Sequence, residues 1–335
     1  MSAPRITAVV VVHGSPASVV GACLDSLLAS TAVDLRVVLV DNASPDGGDA
    51  CLPWRHHDQV TLVTSARNDG FAAGVNQGLG HRRRGDLILL LNDDATVAAD
   101  AISLCAASLD AHPSAIAVAP RVMLADEPDR VDSIGVVVRP NGEAFNAYIG
   151  QQWTHQVADG EEVLGPCFGA ALFRPDAFDA DVVGPVDERY RLYYEDIDWD
   201  LRARRAGWTT VAATNALVLH RHASSTRLLG EAARYELVQR NLLLCVTKNF
   251  SARRAAAAWA SRLVVHTKGV ITGPYRIERI RSITRAMIGM PSALRDRRRS
   301  PRPLAKSDEA ALFAHSAAMS PNFSTETYRS ELPLD

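Results

Sequence analysis

Several signatures are missing from this 335-residue chain, and each absence removes a class of function. No GxGxxG fingerprint and no GxxxxGK-S/T loop occurs, so neither a Rossmann dinucleotide site nor a P-loop has support. The five cysteines, Cys23, Cys51, Cys105, Cys167 and Cys245, show no CxxC spacing. That pattern argues against a zinc ribbon or a disulfide framework and fits a reducing compartment. No run approaches the roughly 18 consecutive apolar residues of a spanning helix. Met1–Arg5 leads directly into a strand-like run, with no signal-peptide pattern, so a cytoplasmic location is expected.

Net charge is nearly absent as well, at −2, but the total hides a segregation. Residues 1–250 carry a net −10, residues 251–306 a net +12, and residues 307–335 a net −4. The basic stretch lacks interleaved stacking aromatics and the rest is acidic, so nucleic acid is not an expected partner. A hydrophobic fraction of 47% is ample for a large core, and the length suits one large domain with an appendage.

What is present begins with alternation. Ile6–Val12, Leu35–Val40, Val60–Val63 and Leu87–Leu91 are short apolar runs of the kind buried on both faces of a parallel sheet. Ser15-Pro16 reads as a helix cap followed by proline in the first turn, ahead of Val19, Val20, Cys23, Leu24, Leu27 and Leu28 at helical spacing. Phe71–Leu79 reads as a second helix. Strand–helix alternation predicts an α/β fold with a mainly parallel sheet flanked by helices. Residues 121–165 show only turn signals, at Pro140-Asn141-Gly142 and Gly150, which suggest hairpins or a loop. A short strand is expected at Ala216–Leu219, then helices over 231–250 and 251–290, with regular structure ending beyond Pro291.

Polar residues stand where the strands end, the place where open α/β sheets bind ligands. Asp41-Asn42 closes the second run; a carboxylate there can accept a hydrogen bond from a uracil or thymine ring, or the pair can simply form a turn. Asn68 and Asn76 flank Gly70, Gly74 and Gly78, whose spacing lets a helix approach the sheet closely. Asn92-Asp93-Asp94 closes the fourth run. Adjacent carboxylates there suit a hard divalent cation shared with substrate phosphates, or a solvated turn. Tyr193-Tyr194-Glu195-Asp196-Ile197-Asp198-Trp199 sets three carboxylates among aromatics. Acids at a helix start complement its dipole, and aromatic crowding would also raise a carboxylate pKa toward that of a general base. His220 follows a strand and is a candidate nitrogen ligand for the same cation, with His222 beside it as an alternative and a structural histidine as the plain reading.

Taken in order, VVVVHGSPASVVGACLDSLL, VLVDNASPDGG, RNDGFAAGVNQGL, LILLLNDDATV, GPCFGAALFRPDAF, VDERYRLYYEDIDWDLRARRAGW and LVLHRHASS closely resemble glycosyltransferase family 2, with the GT-A fold, and within it bacterial rhamnosyltransferase-like members. The resemblance spans about residues 5–250. It implies an inverting transferase moving rhamnose or a related hexose from a dTDP- or UDP-sugar donor to an acceptor hydroxyl, in cell-wall, polysaccharide or glycolipid biosynthesis. A small secondary metabolite is the alternative acceptor, and a nucleotidyltransferase or a non-catalytic sugar-nucleotide-binding protein the alternative class.

The same resemblance implies roles for residues. Asp196, with Glu195, would be the catalytic pair, Asp196 the base. Asp41, Asn42, Asn68, Gly70, Asn76, Asn92, Asp93 and Gly169 would bind the nucleotide sugar. Asp94, with Asp93 and His220, would hold Mn2+ or Mg2+, and Trp199, Arg240 and Asn241 would face the acceptor or a diphosphate. Three departures from the family pattern stand out: His13-Gly14 replaces Tyr-Asn at the first strand end, Asn92 replaces the first acid of DxD, and Val186 and Arg191 replace two aromatics. The expected organisation is a catalytic domain over 1–225, a basic helical segment over 226–300 and a flexible tail over 301–335. The cations of 251–306, mixed with Trp259, Leu263, Val264, Val265, Ile271, Ile277, Ile280 and Ile283, suit peripheral contact with the inner face of the cell membrane, near a polyprenyl-diphosphate-linked acceptor. A solvated extension or a homodimer contact is the plain alternative.

Overall fold

In a computed structural model the described residues are 3–221, 229–299 and 306–320. Ten strands form one sheet whose main path runs β10 (Glu162–Val163), β12 (Thr209–His220), β6 (Ala115–Leu124), β11 (Ala170–Phe173), β4 (Leu87–Asn92), β1 (Arg5–Val12), β2 (Asp34–Asp41), β3 (Val60–Thr64). β5 (Ala95–Val97) and β7 (Val131–Ser133) join at β12 and β6, and β8 (Val136–Val138) pairs with β9 (Ala144–Asn146) in a separate hairpin. β12, β6, β4, β1, β2 and β3 all point one way; β11 runs against them between β6 and β4.

The two faces of β1 show why the apolar runs are continuous. Ile6, Ala8, Val10 and Val12 face one core with α1 (Ala17–Leu28) and α3 (Ala101–Ala111), while Val9 and Val11 face another with α2 (Phe71–Leu79) and α4 (Glu195–Arg205). Gly74 and Gly78 let α2 descend onto the sheet: a Cβ there would stand 2.6 Å from Val11 Cγ1 and 2.4 Å from Val9 Cγ1. Gly70 does a different job, holding φ +100° at the helix start. In register, Val12 lies opposite Asp41 and Val11 opposite Asn92, so β1, β2 and β4 end at one level.

Other local expectations change. Pro16, not Ser15, precedes the first turn of α1, and no side chain caps it. The strand expected at Ala216–Leu219 is the end of the 12-residue β12. The irregular stretch after Leu124 supplies β7 to β10, with the β8–β9 hairpin closing on Pro140-Asn141-Gly142 through Gly142 N–H to Arg139 O (2.9 Å).

The C-terminal third is more ordered than its composition suggests. Helices α5 (Glu231–Asn249), α6 (Ala252–Thr272), α7 (Arg276–Arg299) and α8 (Lys306–Met319) follow, so the single helix expected over 251–290 breaks at Gly273-Pro274. α7 continues through Pro291 because Pro291 and the side chain of Met287, one turn earlier, are exposed, and water can replace the lost backbone bond. Residues 306–319 are helical rather than a flexible tail. Phe313 packs on Phe250 at 5.3 Å, and Ser316 Oγ accepts from Val138 N–H (3.2 Å). One apolar core joins Val136, Tyr190, Tyr194, Ile197 and Leu201 to Leu242–Val246, Ala258, Ala286 and Phe313. The helices therefore share a core with the sheet domain. A boundary at 225/226, like His222 and residues 301–305 and 321–335, lies outside the described residues.

Candidate active site

The shared strand ends gather the expected acids. Asp41 closes β2, is buried, and accepts Ser44 N–H through Oδ1 (2.9 Å), while Gly48 presses on it so closely that a Cβ there would meet Oδ2 at 2.5 Å. Asn92 closes β4 and donates its backbone N–H to Gly169 O (2.9 Å), which puts Gly169 at the same edge. Asp93 is 2% exposed and its Oδ2 has no hydrogen-bond partner. Burial first and the charge of Asp94 second push its carboxyl up to about 7, with Ser15 and His220 offsetting part of the rise.

His220, at the end of β12, meets acids on both sides. Its Nε2 lies 2.9 Å from Asp94 Oδ1 and its Nδ1 lies 2.6 Å from Asp132 Oδ2; Asn92 Nδ2 is 3.3 Å from the same Nε2. Burial lowers the imidazole pKa, but the two carboxylates outweigh it and hold the group well above its usual range. Asp132 was not among the sequence candidates. It stands alone on the three-residue β7, in the stretch where only turn signals were legible, 88 positions from its partner.

Asp94 and His220 are thus brought together, with Asp93 behind, but the first two are bonded to each other. Among the described residues no group of three or more His, Cys, Asp or Glu side chains is arranged to hold a metal ion. The donor chemistry nevertheless fits a hard divalent cation whose remaining ligands come from substrate phosphates. Asp94 offers carboxylate oxygen, His220 offers Nε2, and Asp132 on Nδ1 is the outer carboxylate that commonly fixes a ligating imidazole.

Glu195 and Asp196 open α4 at the same edge. Burial raises both carboxyls, Glu195 well above its usual range with Asp196 adding to the rise, and Asp196 to about 6 with backbone N–H groups of Ile197 and Phe168 opposing. Glu195 Oε2 has no hydrogen-bond partner; Asp196 Oδ1 accepts Ile197 N–H at 2.7 Å. Between this pair and the His220 cluster lies Cys167, whose thiol is pushed up by burial and then by the charges of Asp196 and Asp132. The two groups of acids are therefore neighbours.

The approach to α4 is strained. Arg191 (φ 63°, ψ −61°) centres a γ-turn closed by Leu192 N–H to Tyr190 O (2.8 Å), and Tyr193 and Tyr194 follow at φ 67° and 71°. Each such non-glycine residue costs on the order of 1–3 kcal/mol and persists only where neighbours enforce it. Asn241 is one enforcer: fully buried on α5, its Nδ2 donates to the carbonyls of Tyr190, Leu192 and Tyr193 at 2.7–2.9 Å. Arg240 Nη1 donates to Arg189 O and to Asn241 Oδ1, both at 2.8 Å.

Six of the expected site residues are engaged within the protein. Asn241 is committed to backbone carbonyls, leaving no donor for a diphosphate, and the described contacts of Arg240 also serve the turn. Trp199 is 0% exposed among Phe168, Phe173 and Phe178, with its indole N–H on Gly184 O (3.0 Å); this face of α4 packs on the sheet, away from an acceptor. Asn76 exchanges hydrogen bonds with the Val186 backbone (2.8 and 3.0 Å), tying α2 to the 185–190 loop. Asn42 and Asn68 bond to one another (3.2 Å), and Asn68 Oδ1 also accepts Gly70 N–H (2.8 Å), so they shape the turn beside Asp41.

Comparison with known proteins identifies the family and the fold. The profile of glycosyl transferase family 2 matches residues 7–180. N-acetylglucosaminyl-diphospho-decaprenol L-rhamnosyltransferase of Mycobacterium tuberculosis is 28% identical over 241 residues, covering 65% of this chain and 76% of that protein. Succinoglycan biosynthesis protein ExoO of Rhizobium meliloti is 34% identical over 115 residues, 34% of this chain and 32% of that protein. Among solved structures, GalNAc-T7 with UDP, GalNAc and Mn2+ aligns at TM-score 0.66 and 13% identity; this chain is covered over 99% of its length but spans only 58% of that one. Mannosyltransferase PcManGT from Pyrobaculum calidifontis, in complex with GDP-Man and Mn2+, aligns at TM-score 0.51 and 18% identity over 86% of this chain and 87% of that one. The fold is GT-A, and the chain is a glycosyltransferase that belongs to glycosyl transferase family 2.

Proposed function

We propose that this enzyme transfers rhamnose, or a related hexose, from a dTDP- or UDP-sugar to a hydroxyl of a polyprenyl-diphosphate-linked acceptor by a single inverting displacement. Asp196 removes the proton of the acceptor hydroxyl, which attacks the anomeric carbon from the side opposite the nucleoside diphosphate. The observation that carries this reading is the position and state of Asp196: it stands, partly exposed, at the start of α4 beside the strand ends and is lifted to about 6, where a carboxylate accepts protons well at neutral pH. Asp41 would accept from the N3–H of the base; Asn42, Asn68 and Gly70, bonded to one another beside it, shape that turn. A divalent cation held by Asp94 and His220 would neutralise charge on the departing diphosphate. The mycobacterial relative, named for a decaprenol-linked acceptor, supports the acceptor class.

Among the described residues no helix is long and apolar enough to cross a membrane. Contact with the membrane is assigned instead to α6 and α7. They expose Val264, Ile271, Ile277, Ile280, Met287 and Ile288 beside the exposed cations Lys268, Arg276, Arg281 and Arg295, a pattern suited to an anionic leaflet. Because these helices share the buried core, the test uses surface changes: Ile277→Asp with Ile288→Asp should abolish flotation with anionic liposomes. Unchanged flotation removes the membrane role, and a monomer–dimer shift in sedimentation would assign the face to a homodimer instead. The main reading is tested by Asp196→Asn in a donor panel read by nucleoside diphosphate release with and without Mn2+ or Mg2+. Near-normal turnover with intact donor binding would sink the base assignment, and transfer to soluble hydroxyl compounds alone would sink the lipid-linked acceptor.

A further inference from the structure

The strained turn before α4 touches both halves of the proposed site, and one buried side chain, Asn241, bonds three of its carbonyls. On the donor side, Arg191 O accepts Ala72 N–H (3.0 Å) and Arg191 Nη2 donates to Asn68 O (3.1 Å). Gly70 lies so close that a Cβ would stand 2.6 Å from Arg191 O and 2.7 Å from its Cα. On the other side, Tyr194 is the residue immediately before Glu195-Asp196 and sits at φ 71°. From behind, Asn241 spreads one amide NH2 over three carbonyls, those of Tyr190, Leu192 and Tyr193. Two protons serve three acceptors, so at least one is shared, and Arg240 on Asn241 Oδ1 fixes which end of the amide faces the turn. No other residue type with so short a side chain presents an NH2 fork together with an acceptor for Arg240.

The helix itself is anchored elsewhere. Lys248 Nζ and Asn249 Nδ2 both reach Asp198 at 2.8 Å, and Trp199 is locked in the aromatic core. Losing the amide of Asn241 would therefore leave α4 in place and release only the segment linking the Asn68–Gly70 turn to the acid pair. From this we infer that Asn241 is a positioning residue for transfer: through the γ-turn at Arg191 it sets where the Glu195-Asp196 pair stands relative to the donor-binding turn. Positive φ at the non-glycine residues Arg191, Tyr193 and Tyr194 is costly, so without the Asn241 bonds the segment relaxes, and the acid pair and the donor turn lose their fixed spacing.

The inference rests on Asp196 as the base, and the two can fail separately. Asn241→Ala in the full chain is expected to lower kcat at least tenfold, while the Kd of UDP or dTDP, read by calorimetry, changes by less than threefold. Adding Arg191→Gly, which accepts positive φ without penalty, is expected to restore at least threefold of the lost kcat. Asn249→Ala, which loosens α4 without touching the turn, should lower the melting temperature and leave kcat of the folded enzyme unchanged. Where Asn241→Ala does not fold, Asn241→Gln keeps the amide and displaces it by one methylene, with the same split expected between kcat and Kd. An Asn241→Ala enzyme with wild-type kcat, or one whose activity falls only as far as its folded fraction, overturns the inference. If Asp196→Asn is fully active the base reading falls first, whatever Asn241 does.

Discussion

Two carboxylates two residues apart on α4 behave in opposite ways, and their surroundings explain why. Asp198 is fully buried and accepts from Lys248 Nζ, Arg202 Nε, Asn249 Nδ2 and Tyr190 O–H at 2.8–3.1 Å. Burial works against its charge, yet Lys248 and Arg202 hold its pKa below the usual carboxylate range. Asp187, bonded to Lys248 at 2.8 Å, is lowered too, with Arg189 and Lys248 overcoming its burial. Asp196 sits, partly exposed, at the sheet edge; desolvation lifts it to about 6 and backbone N–H groups oppose the rise. A buried acid that is paired belongs to the scaffold. A partly exposed acid raised by its surroundings, beside strained backbone, is where chemistry can move a proton.

Substitutions can break that contrast from either side. The largest effect is expected for Asp196→Asn, which removes the proposed base: kcat should fall by about 10²–10⁴-fold with nucleoside diphosphate binding retained, measured by steady-state transfer and calorimetry. Next, Lys248→Met removes one of the two cations paired with each of Asp198 and Asp187, leaving Arg202 and Arg189, and losing a hydrogen bond to a buried charge costs about 1.5–3 kcal/mol. Chemical denaturation should show that loss, and kcat of the remaining folded enzyme should stay near the wild-type value. Third, Asp132→Asn removes the outer carboxylate of His220. Mn2+-dependent donor binding should weaken by about 10–100-fold, and the imidazole should titrate at lower pH, followed by NMR.

The smallest effect is the most discriminating for the contrast. Asp196 has a folded-state pKa above its unfolded value, so the folded protein binds the extra proton between about 4 and 6 and loses stability as pH rises through that window. Asp198 and Asp187 have lowered values, so their contribution is present above about pH 4 and is lost as pH falls below it. Asp196→Asn should therefore gain on the order of 1–2 kcal/mol at pH 8 and nothing at pH 4, after allowance for its partial exposure. Lys248→Met should show its deficit at pH 8 and lose it toward pH 3. Denaturant midpoints across pH read both.

Much of this was legible before any coordinates, for identifiable reasons. The apolar runs at 6–12, 35–40 and 87–91 are buried on both faces, and burial of that kind leaves a continuous signal. The acids closing them, Asp41 and Asp93-Asp94, stand out because charge directly after such a run has few structural uses. Illegible residues depend on distant partners. Asp132 gains meaning only when β12 brings His220 to it. Asn241 and Trp199 looked like ligand-facing residues, because composition does not reveal which side of a helix meets carbonyls or a sheet. Lys248, one cation among many, became an anchor only through α4. The helix at 306–319 was missed because its ordering comes from contacts with the β8–β9 hairpin and Phe250, while its own composition resembles a tail.

The pH dependence of kcat/KM tests the central claim most directly. With Asp196 as the base, kcat/KM should rise with unit slope as pH increases and level off above about 6. The residual activity of Asp196→Asn should lack that limb. A wild-type profile that is flat down to pH 4, or a variant that keeps the limb, would contradict the assignment of Asp196 and with it the reading of α4.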